Sequence, residues 1–550
     1  MFGKMTSTKS QPRGRELLRG ARENGALSLL VILFIFAAFA FANLARIAGG
    51  SDSSGYLNLS RRLAAGRTVE NVEALDIFDL DEAYAGVFVP LGFTVGPDGT
   101  SLPYYPPGMP LQMAVLEALA GPDVGPFLVP PLAGLLGLAA FFVLVRQLGL
   151  SARFALAGTA MMAVCPTYLS YSLQPMSDAV ATAFVTMALA AALVARQQVW
   201  WMLVAAAAFG MGVLVRPTVV LLLPALLIAM PFTVRGYLLL VIGGAPFALF
   251  NVTYNYFTYG GMFVTGYGGI GNIETSWEWF SPRFTHYTQW LTTLLSPLVA
   301  LASLIFPFDS NVPRRTRALL VVWFVPTFTF YCTYQHYDAW GYTRFLLPAM
   351  GALVVAALFV ARDVLSSLNR AQWLWAPTLA SEERQRVVKG IGIALLTMVI
   401  VTGVYHNSWL HVLFVDEGEA VYRAACLGVN EQTPARTVVL AMQASGALEY
   451  YTDAVVARWD QLEPESFNLL RDRFEARGYA VYALLFPFES ERFQQNILGR
   501  WEVVEDYPPM TLLRLQPDER GTAMFTSSTT PVSTSTCNSL SVPSGLSWVH

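Results

Sequence analysis

The chain has 550 residues, 54% of them hydrophobic and only 13% charged, with a mean hydropathy of +0.46. Soluble proteins carry about 25% charged residues, so an ordinary water-soluble globular protein is excluded and the bilayer is the main solvent. A net charge of −3 without a long basic run argues against nucleic acid as a partner, and four scattered cysteines (Cys165, Cys332, Cys426, Cys537) give neither a disulfide framework nor a zinc site.

A segment over residues 1–26, basic through Lys4, Lys9, Arg13, Arg15, Arg19 and Arg22, precedes the first apolar run. Apolar runs near the ~20 residues that cross a bilayer recur at 27–47, 125–148, 153–172, 178–196, 199–215, 217–233, 236–256, 286–306, 318–335, 345–361 and 388–406. Lipid offers backbone groups no partners, so these runs are helices. The first is too long for a signal peptide and lacks a clean small-residue cleavage site. The basic residues before it put the N-terminus in the cytoplasm. Alternation then places Arg146, Arg153, Arg196, Arg235, Arg314, Arg315, Arg317 and the segment from Arg362 to Lys389 on that same side. The expectation is an α-helical polytopic domain over 27–407 in the cytoplasmic (inner) membrane, with about eleven transmembrane helices and a long outer loop at 48–124. Splitting or merging the hairpin broken at Arg216-Pro217 changes the count by one.

Residues 408–516 are richly charged, and short β-like runs (TVVLAM, AVVARW, AVYALLF, TLLRLQ) alternate with helical stretches such as FNLLRDRFEARG. They predict a small extracytoplasmic α/β domain. Residues 517–550 form a Ser/Thr-rich tail with too little apolar content to fold. There is no internal repeat of the kind many transporters carry.

The outer loop opens GGSDSSGYLNLSRRLAAG, with Asp52 a few residues beyond the first span. Tyr56, Leu57, Leu59 and Leu63 form an apolar stripe beside Arg61 and Arg62, as in a helix lying on the membrane surface. Such a helix holds Asp52 at headgroup level, where it reaches a lipid-borne and a water-side substrate; a solvated loop acid is the alternative. Asp76, Asp79, Asp81 and Glu82 follow, and carboxylate oxygens of this kind suit a divalent cation such as Mg or Mn, with Asp79 and Asp81 foremost, or simply face water. The loop ends at Tyr105-Pro106-Pro107-Gly108, a stiff entry into a helix.

Asp178 begins a helix in QPMSDAV, as a substrate-site acid on the side of Asp52 or as a helix cap. Arg216 (VLVRPTVV) and Arg344 (GYTRFLLPAM) break the positive-inside pattern at outer helix ends. A guanidinium fork there matches phosphate oxygens, with snorkelling to the headgroups as the other explanation. His336 lies in the segment before Arg344, among aromatic residues, and GYGGIG (Gly266 to Gly271) follows a membrane helix rather than a strand, so it predicts a flexible substrate-side loop and not a nucleotide site.

The acid after the first helix (Asp52), YPPG, PMSD, RFLLP and the distal AMQASGALEYYTDAVVARWD together resemble the polyprenyl-phosphate-dependent GT-C glycosyltransferases. The branch they resemble is that of the bacterial family 39-like and dolichyl-phosphate-mannose protein mannosyltransferase-like enzymes. The resemblance covers about residues 27–516. It implies an inverting transfer of one sugar from a polyprenyl-phosphate donor, at the outer membrane surface, to an acceptor that is a lipid, a polysaccharide or a protein. It implies Asp52 as general base and Arg344 on the donor phosphate; read from their positions alone, Arg216 is a second candidate for the phosphate, and Asp178, Tyr56, Tyr105 and His336 are substrate-site candidates. This chain departs from many relatives in having Asp52-Ser53 where they have Asp-Glu, and from some in having Tyr105 where they have lysine. A transporter or flippase for a lipid-linked or anionic solute, and a noncatalytic scaffold, are the rivals. The first should place ionisable groups near the bilayer midplane, and the second leaves Asp52 and Arg344 without a role.

Overall fold

The computed structural model describes residues 25–269, 275–336, 338–371, 381–516 and 524–525. Among them, six helices are long and apolar enough to cross a membrane: Pro126–Gln147, Ser177–Val194, Val234–Tyr259, Arg314–Thr333, Trp340–Arg370 and Ser381–Trp409. A seventh crossing is available to the pair Trp277–Leu295 and Pro297–Phe308, bent by 115° at their junction. In chain order the helices are α1 (Ala26–Ala42), α2 (Ser51–Ala64), α3 (Gly108–Ala120), α4 (Val129–Gln147), α5 (Ala152–Ala163), α6 (Ser177–Val194) and α7 (Trp201–Val215). They continue with α8 (Leu223–Ala229), α9 (Val234–Tyr259), α10 (Phe280–Leu295), α11 (Pro297–Ile305), α12 (Arg314–Thr333), α13 (Leu347–Arg370) and α14 (Ser381–Trp409).

Each apolar run contains a helix, but two runs break. At 153–172 the helix stops before Pro166, which has no N–H to continue the ladder, and at 286–306 Ser296 (φ 82°) and Pro297 turn the chain sharply. Shorter apolar helices, α1 and α7 among them, fall below ordinary spanning length. α6, SDAVATAFVTMALAAALV, is buried along nearly its whole length because small side chains let its neighbours approach. α9 and α14 instead expose Leu249, Phe257, Ile393 and Val401, the surface expected to face lipid. At the end of the bundle remote from Asp52, Arg196 Nε donates to the Ala229 carbonyl (2.6 Å) and Arg315 Nε to that of Ile228 (2.9 Å), satisfying carbonyls left open where α8 ends.

The loop at 48–124 is structured. It holds α2, a small antiparallel sheet of β1 (Glu70–Asn71), β2 (Phe93–Val95) and β3 (Thr100–Pro103) in the order β1-β3-β2, and α3. A short hairpin, β4 (Val264–Thr265) with β5 (Gly268–Gly269), takes up the first part of GYGGIG; its last two residues, Ile270 and Gly271, lie outside the described residues. The hairpin packs rather than dangles: a Cβ on Gly266 would stand 2.2 Å from the Tyr104 carbonyl oxygen.

Beyond α14, α15 (Val415–Gln432) leads into a six-stranded mixed sheet of β6 (Thr437–Leu440), β7 (Val455–Ala457), β8 (Ala480–Leu485), β9 (Arg500–Tyr507), β10 (Met510–Leu515) and β11 (Met524–Phe525), ordered β11-β9-β10-β8-β6-β7. β6 is buried throughout, as a strand with parallel neighbours on both sides should be. Helices α16 (Ser445–Tyr451), α17 (Pro464–Ala476) and α18 (Pro487–Asn496) complete this region. Residues 524–525 of the segment expected as tail pair with β9; the remainder of that segment, like residues 1–24, lies outside the described residues. The sheet does not form its core alone. Ala74, Phe78, Val87 and Phe88 of the first loop share one apolar cluster with Val438, Leu440, Trp459, Phe467 and Phe474.

Candidate active site

α2 begins at Ser51 after the N-cap Gly50, so Asp52 sits in its first turn, where the helix dipole favours a carboxylate. The surface-helix expectation for α2 is corrected by its burial. Tyr56, Leu57 and Leu59 are 5%, 1% and 1% exposed, and protein rather than lipid covers the stripe. α3 packs on one part of α2 and α16 on another.

Two guanidinium–carboxylate pairs form the centre of the site. Arg344 Nη2 lies 2.7 Å from Asp52 Oδ2, and the Tyr105 hydroxyl donates to Asp52 Oδ1 at 2.5 Å. Arg344 stands in a 3₁₀ turn (Trp340–Leu346) leading into α13, with Pro348 in that helix's first turn. The second pair is Arg216 with Asp178, whose side chain is almost fully buried. Pro217 forces Arg216 into an extended conformation (φ −143°, ψ 113°), ending α7 there, and Asp178 occupies the first turn of α6. Both cations lie near the Phe345 ring, whose centroid is 5.3 Å from the Arg216 and 5.2 Å from the Arg344 guanidinium carbon.

Neighbours fix this arrangement. Met176 Sδ accepts weakly from Ser53 Oγ (3.8 Å) and Arg344 Nη1 (3.9 Å). Tyr56 donates to Ser177 Oγ (2.9 Å), tying α2 to the start of α6. The stiff YPPG segment enters α3 at Gly108, where a Cβ would stand 2.4 Å from the Leu214 backbone carbon; glycine there lets the start of α3 rest on the end of α7, beside Arg216. From Tyr56 a row of rings runs outward: Tyr56–Tyr105 centroids are 4.7 Å apart, Tyr105–Tyr104 5.5 Å and Tyr104–Tyr267 4.8 Å. Tyr104 and Tyr267 are over a third exposed, so this row connects Asp52 to the surface. His336 lies one layer behind Arg344, stacked on Tyr342 (5.4 Å), whose ring is 5.7 Å from the Arg344 guanidinium carbon.

Burial pushes the Asp52 carboxyl up, but the Arg344 charge and the Tyr105 hydrogen bond outweigh it and hold the group below the ordinary carboxylate range. Burial and the Asp52 charge push the Tyr105 phenol well up, so it remains a donor.

Asp79, one of the two acids expected on a divalent cation or in water, is paired with a cation of the chain. Asp79 ends a short helix with φ 54°, is largely exposed, and its Oδ2 lies 2.9 Å from Arg473 Nη1. Asp81 precedes a 3₁₀ turn, Glu82–Tyr84. Asp52 and Asp178 each face a guanidinium, and among the described residues no three His, Cys, Asp or Glu side chains converge.

Asp178→Ala leaves the Arg216 guanidinium, 15% exposed, without its carboxylate. We expect a loss of about 3–5 kcal/mol in stability, read as a lower midpoint of thermal unfolding in detergent. Replacing both partners by apolar residues of matching volume should recover most of it.

Sequence reasoning noted Arg62 only as a neighbour of the apolar stripe, whereas it is buried and held by Glu70 (2.9 Å) and Glu449 (3.0 Å), and it missed Glu419, which reaches Gly50. Glu449 and Gly50 lie far along the chain from Arg62 and Glu419 respectively, and no local pattern marks either contact.

Residues 105–246 match the model of a family described as dolichyl-phosphate-mannose-protein mannosyltransferase. The matched segment holds YPPG, PMSD and Arg216, while Asp52 and Arg344 lie outside it. No curated protein matches the chain. Among solved structures, ArnT from Cupriavidus metallidurans bound to undecaprenyl phosphate superposes with a TM-score of 0.50 at 14% identity, over 89% of this chain and 99% of that one. The Archaeoglobus fulgidus oligosaccharyltransferase in its apo form gives a TM-score of 0.52 at 12% identity, over 85% of this chain and 71% of that one. The archaeal oligosaccharyltransferase AglB from Archaeoglobus fulgidus, in complex with an inhibitory peptide and a dolichol-phosphate, gives 0.50 at 12% identity over the same shares. The fold is therefore the GT-C type, and the chain is an integral multi-pass membrane protein.

Proposed function

We propose that this chain is an inverting glycosyltransferase. It moves a sugar from a polyprenyl-phosphate donor to an acceptor hydroxyl at the outer face of the cytoplasmic membrane. The N-terminus lies in the cytoplasm and the C-terminal sheet region lies outside, as the Lys/Arg distribution supports. The observation that carries this function is the pairing of Asp52 with Arg344 at 2.7 Å, in a site that a row of tyrosine rings connects to the surface.

In the absence of donor, Arg344 neutralises Asp52. A lipid phosphate offers the guanidinium a second anionic partner, and as Arg344 turns to it, burial raises the basicity of Asp52. Asp52 then accepts the proton of the acceptor hydroxyl while that oxygen bonds to the anomeric carbon. The bond from that carbon to the phosphate oxygen breaks through an oxocarbenium-like state, and the lipid phosphate departs with its electron pair, held by Arg344. The other central carboxylate, Asp178, is bound to Arg216, so among the described residues of this centre no second carboxylate is free to act as nucleophile, and a single displacement inverts the anomeric carbon. Arg216 adds positive potential behind Arg344, while Tyr105 and Tyr56 orient Asp52 and its helix. Transport is not favoured, because the ionisable pairs sit at helix ends rather than at mid-span.

The test is transfer by membranes containing the protein, given a panel of labelled polyprenyl-phosphate hexoses and pentoses. Label should leave the lipid and appear in a glycan, lipid or protein fraction. Label that stays on the lipid with every donor, in membranes where the protein is folded, overturns the assignment. Mass spectrometry of a deletion strain and its parent then identifies the missing product.

A further inference from the structure

We propose that Glu419, on α15 beyond the last membrane helix, is a positioning residue for Asp52: it caps the first turn of α2 from 369 positions away in the chain. The inference rests on the function of Asp52 given above.

α2 starts without a side-chain cap of its own. In a capping box, the Glu or Gln at the third helical position bonds back to the N-cap N–H; here that position is Ser53, whose hydroxyl contacts Met176 instead. Glu419 Oε2 supplies the missing acceptor, 3.2 Å from the Gly50 N–H. Gly49 makes room for it, since a Cβ there would stand 1.5 Å from that same oxygen. The carboxylate also lies at the positive end of the helix dipole. Asp52 is the second residue of this turn, so a shift of the turn carries its carboxylate away from Arg344 and Tyr105.

The cap belongs to a wider clamp. Asn58 Nδ2 donates to the Gly446 carbonyl (2.9 Å), Arg62 Nη2 meets Glu449 (3.0 Å), Arg61 Nη1 donates to the Tyr450 carbonyl (2.6 Å), and the Ala48 N–H donates to the Tyr451 hydroxyl (2.8 Å). A Cβ on Gly446 would stand 2.3 Å from Ser54 Oγ, so α16 presses directly on α2. The region after α14 thus holds the helix that carries Asp52. Burial pushes the Glu419 carboxyl up to about 7, with the Gly50 N–H opposing and Asp52 adding to the rise. Either protonation state keeps an oxygen able to accept from Gly50, and so does a glutamine amide.

Four variants test this against the wild type, by transfer from the labelled donor that the panel identifies and by thermal unfolding in detergent. Glu419→Ala should lower kcat by about 10- to 100-fold with little change in donor KM, because a displaced base loses orientation and not binding. Glu419→Gln should restore kcat to near the wild-type value. Gly49→Ala, which expels the carboxylate without touching the sheet region, should reproduce the loss. The Gly49→Ala/Glu419→Ala double variant should be no worse than either single change. Wild-type kcat in Glu419→Ala, a glutamine variant no better than alanine, or additive losses in the double variant overturns the proposal. If Glu419→Ala does not fold, Gly49→Ala decides alone. Asp52→Asn is assayed in parallel: an inactive Asp52→Asn beside a fully active Glu419→Ala overturns this inference only, whereas an active Asp52→Asn removes the premise on which it stands.

Discussion

Asp52→Asn is expected to lower transfer by about 10²–10⁴-fold, the range of positioned general acid–base catalysis, with donor binding nearly intact. Asparagine keeps the size of the side chain and an oxygen that can accept from Tyr105 or Arg344, so α2 and its neighbours should stay in place. It cannot take the acceptor's proton. Donor KM and the amount of protein extracted from membranes should therefore stay near wild type while kcat falls, and the unfolding midpoint should drop less than in Asp178→Ala, because the asparagine oxygen still accepts from Arg344. Transfer at the wild-type rate removes Asp52 from the chemistry. A lowered unfolding midpoint with proportionate loss of activity makes it a structural partner of Arg344 and no more.

The helical layer was legible because lipid imposes a single rule on spanning segments, and runs such as 178–196 and 388–406 obey it without competing signals. The run at 286–306 carried its own warning in Ser296-Pro297, but hydropathy does not register a turn whose apolar residues continue on both sides. In the distal region the four β-like runs correspond to β6, β7, β8 and β10, whose apolar residues are consecutive. β9, RWEVVEDY, was missed because its charged side chains face water and dilute the pattern. In the loop at 48–124 a helix at its start and a stiff helix entry at its end were legible, but Phe78 and Phe88 between them complete the core beneath the distal sheet, a tertiary event with no local signature.

Legibility of the site followed the same division. Asp52, Asp178, Arg216 and Arg344 each stood out singly, because a charge at the end of an apolar helix needs a partner. Which partner each takes was not readable. Arg216 and Arg344 were read as phosphate ligands, and in the structure each faces a carboxylate, one supplied by α6 and the other by α2. Composition leaves Asp79 and Asp81 between a divalent cation and water, and it does not reveal that Arg473 lies beside Asp79. Glu419 shows the limit most clearly, since its backbone partner Gly50 is separated from it by the whole helical bundle in sequence.

Arg344→Gln should be the second severe variant, lowering kcat/KM by about 10²–10³-fold, the loss typical of removing one group that stabilises developing negative charge. Part of the effect should appear as a higher donor KM, because the guanidinium binds the phosphate before reaction as well as after it. Arg344→Lys should fall between, keeping the charge but not the two-pronged fit to phosphate. The pH profile distinguishes this role from a purely structural one. In the wild type Asp52 is held below the ordinary carboxylate range, so it stays ionised as pH falls, and any stability from its pairing persists until pH drops through that lowered value. Without Arg344, the largest influence opposing burial is gone and the Asp52 carboxyl rises. The acid limb of the kcat/KM profile should therefore move to higher pH in Arg344→Gln, and less so in Arg344→Lys. An unshifted limb with an unchanged donor KM separates Arg344 from both the carboxylate and the phosphate, and the ion pair then serves only to hold α2 against α13.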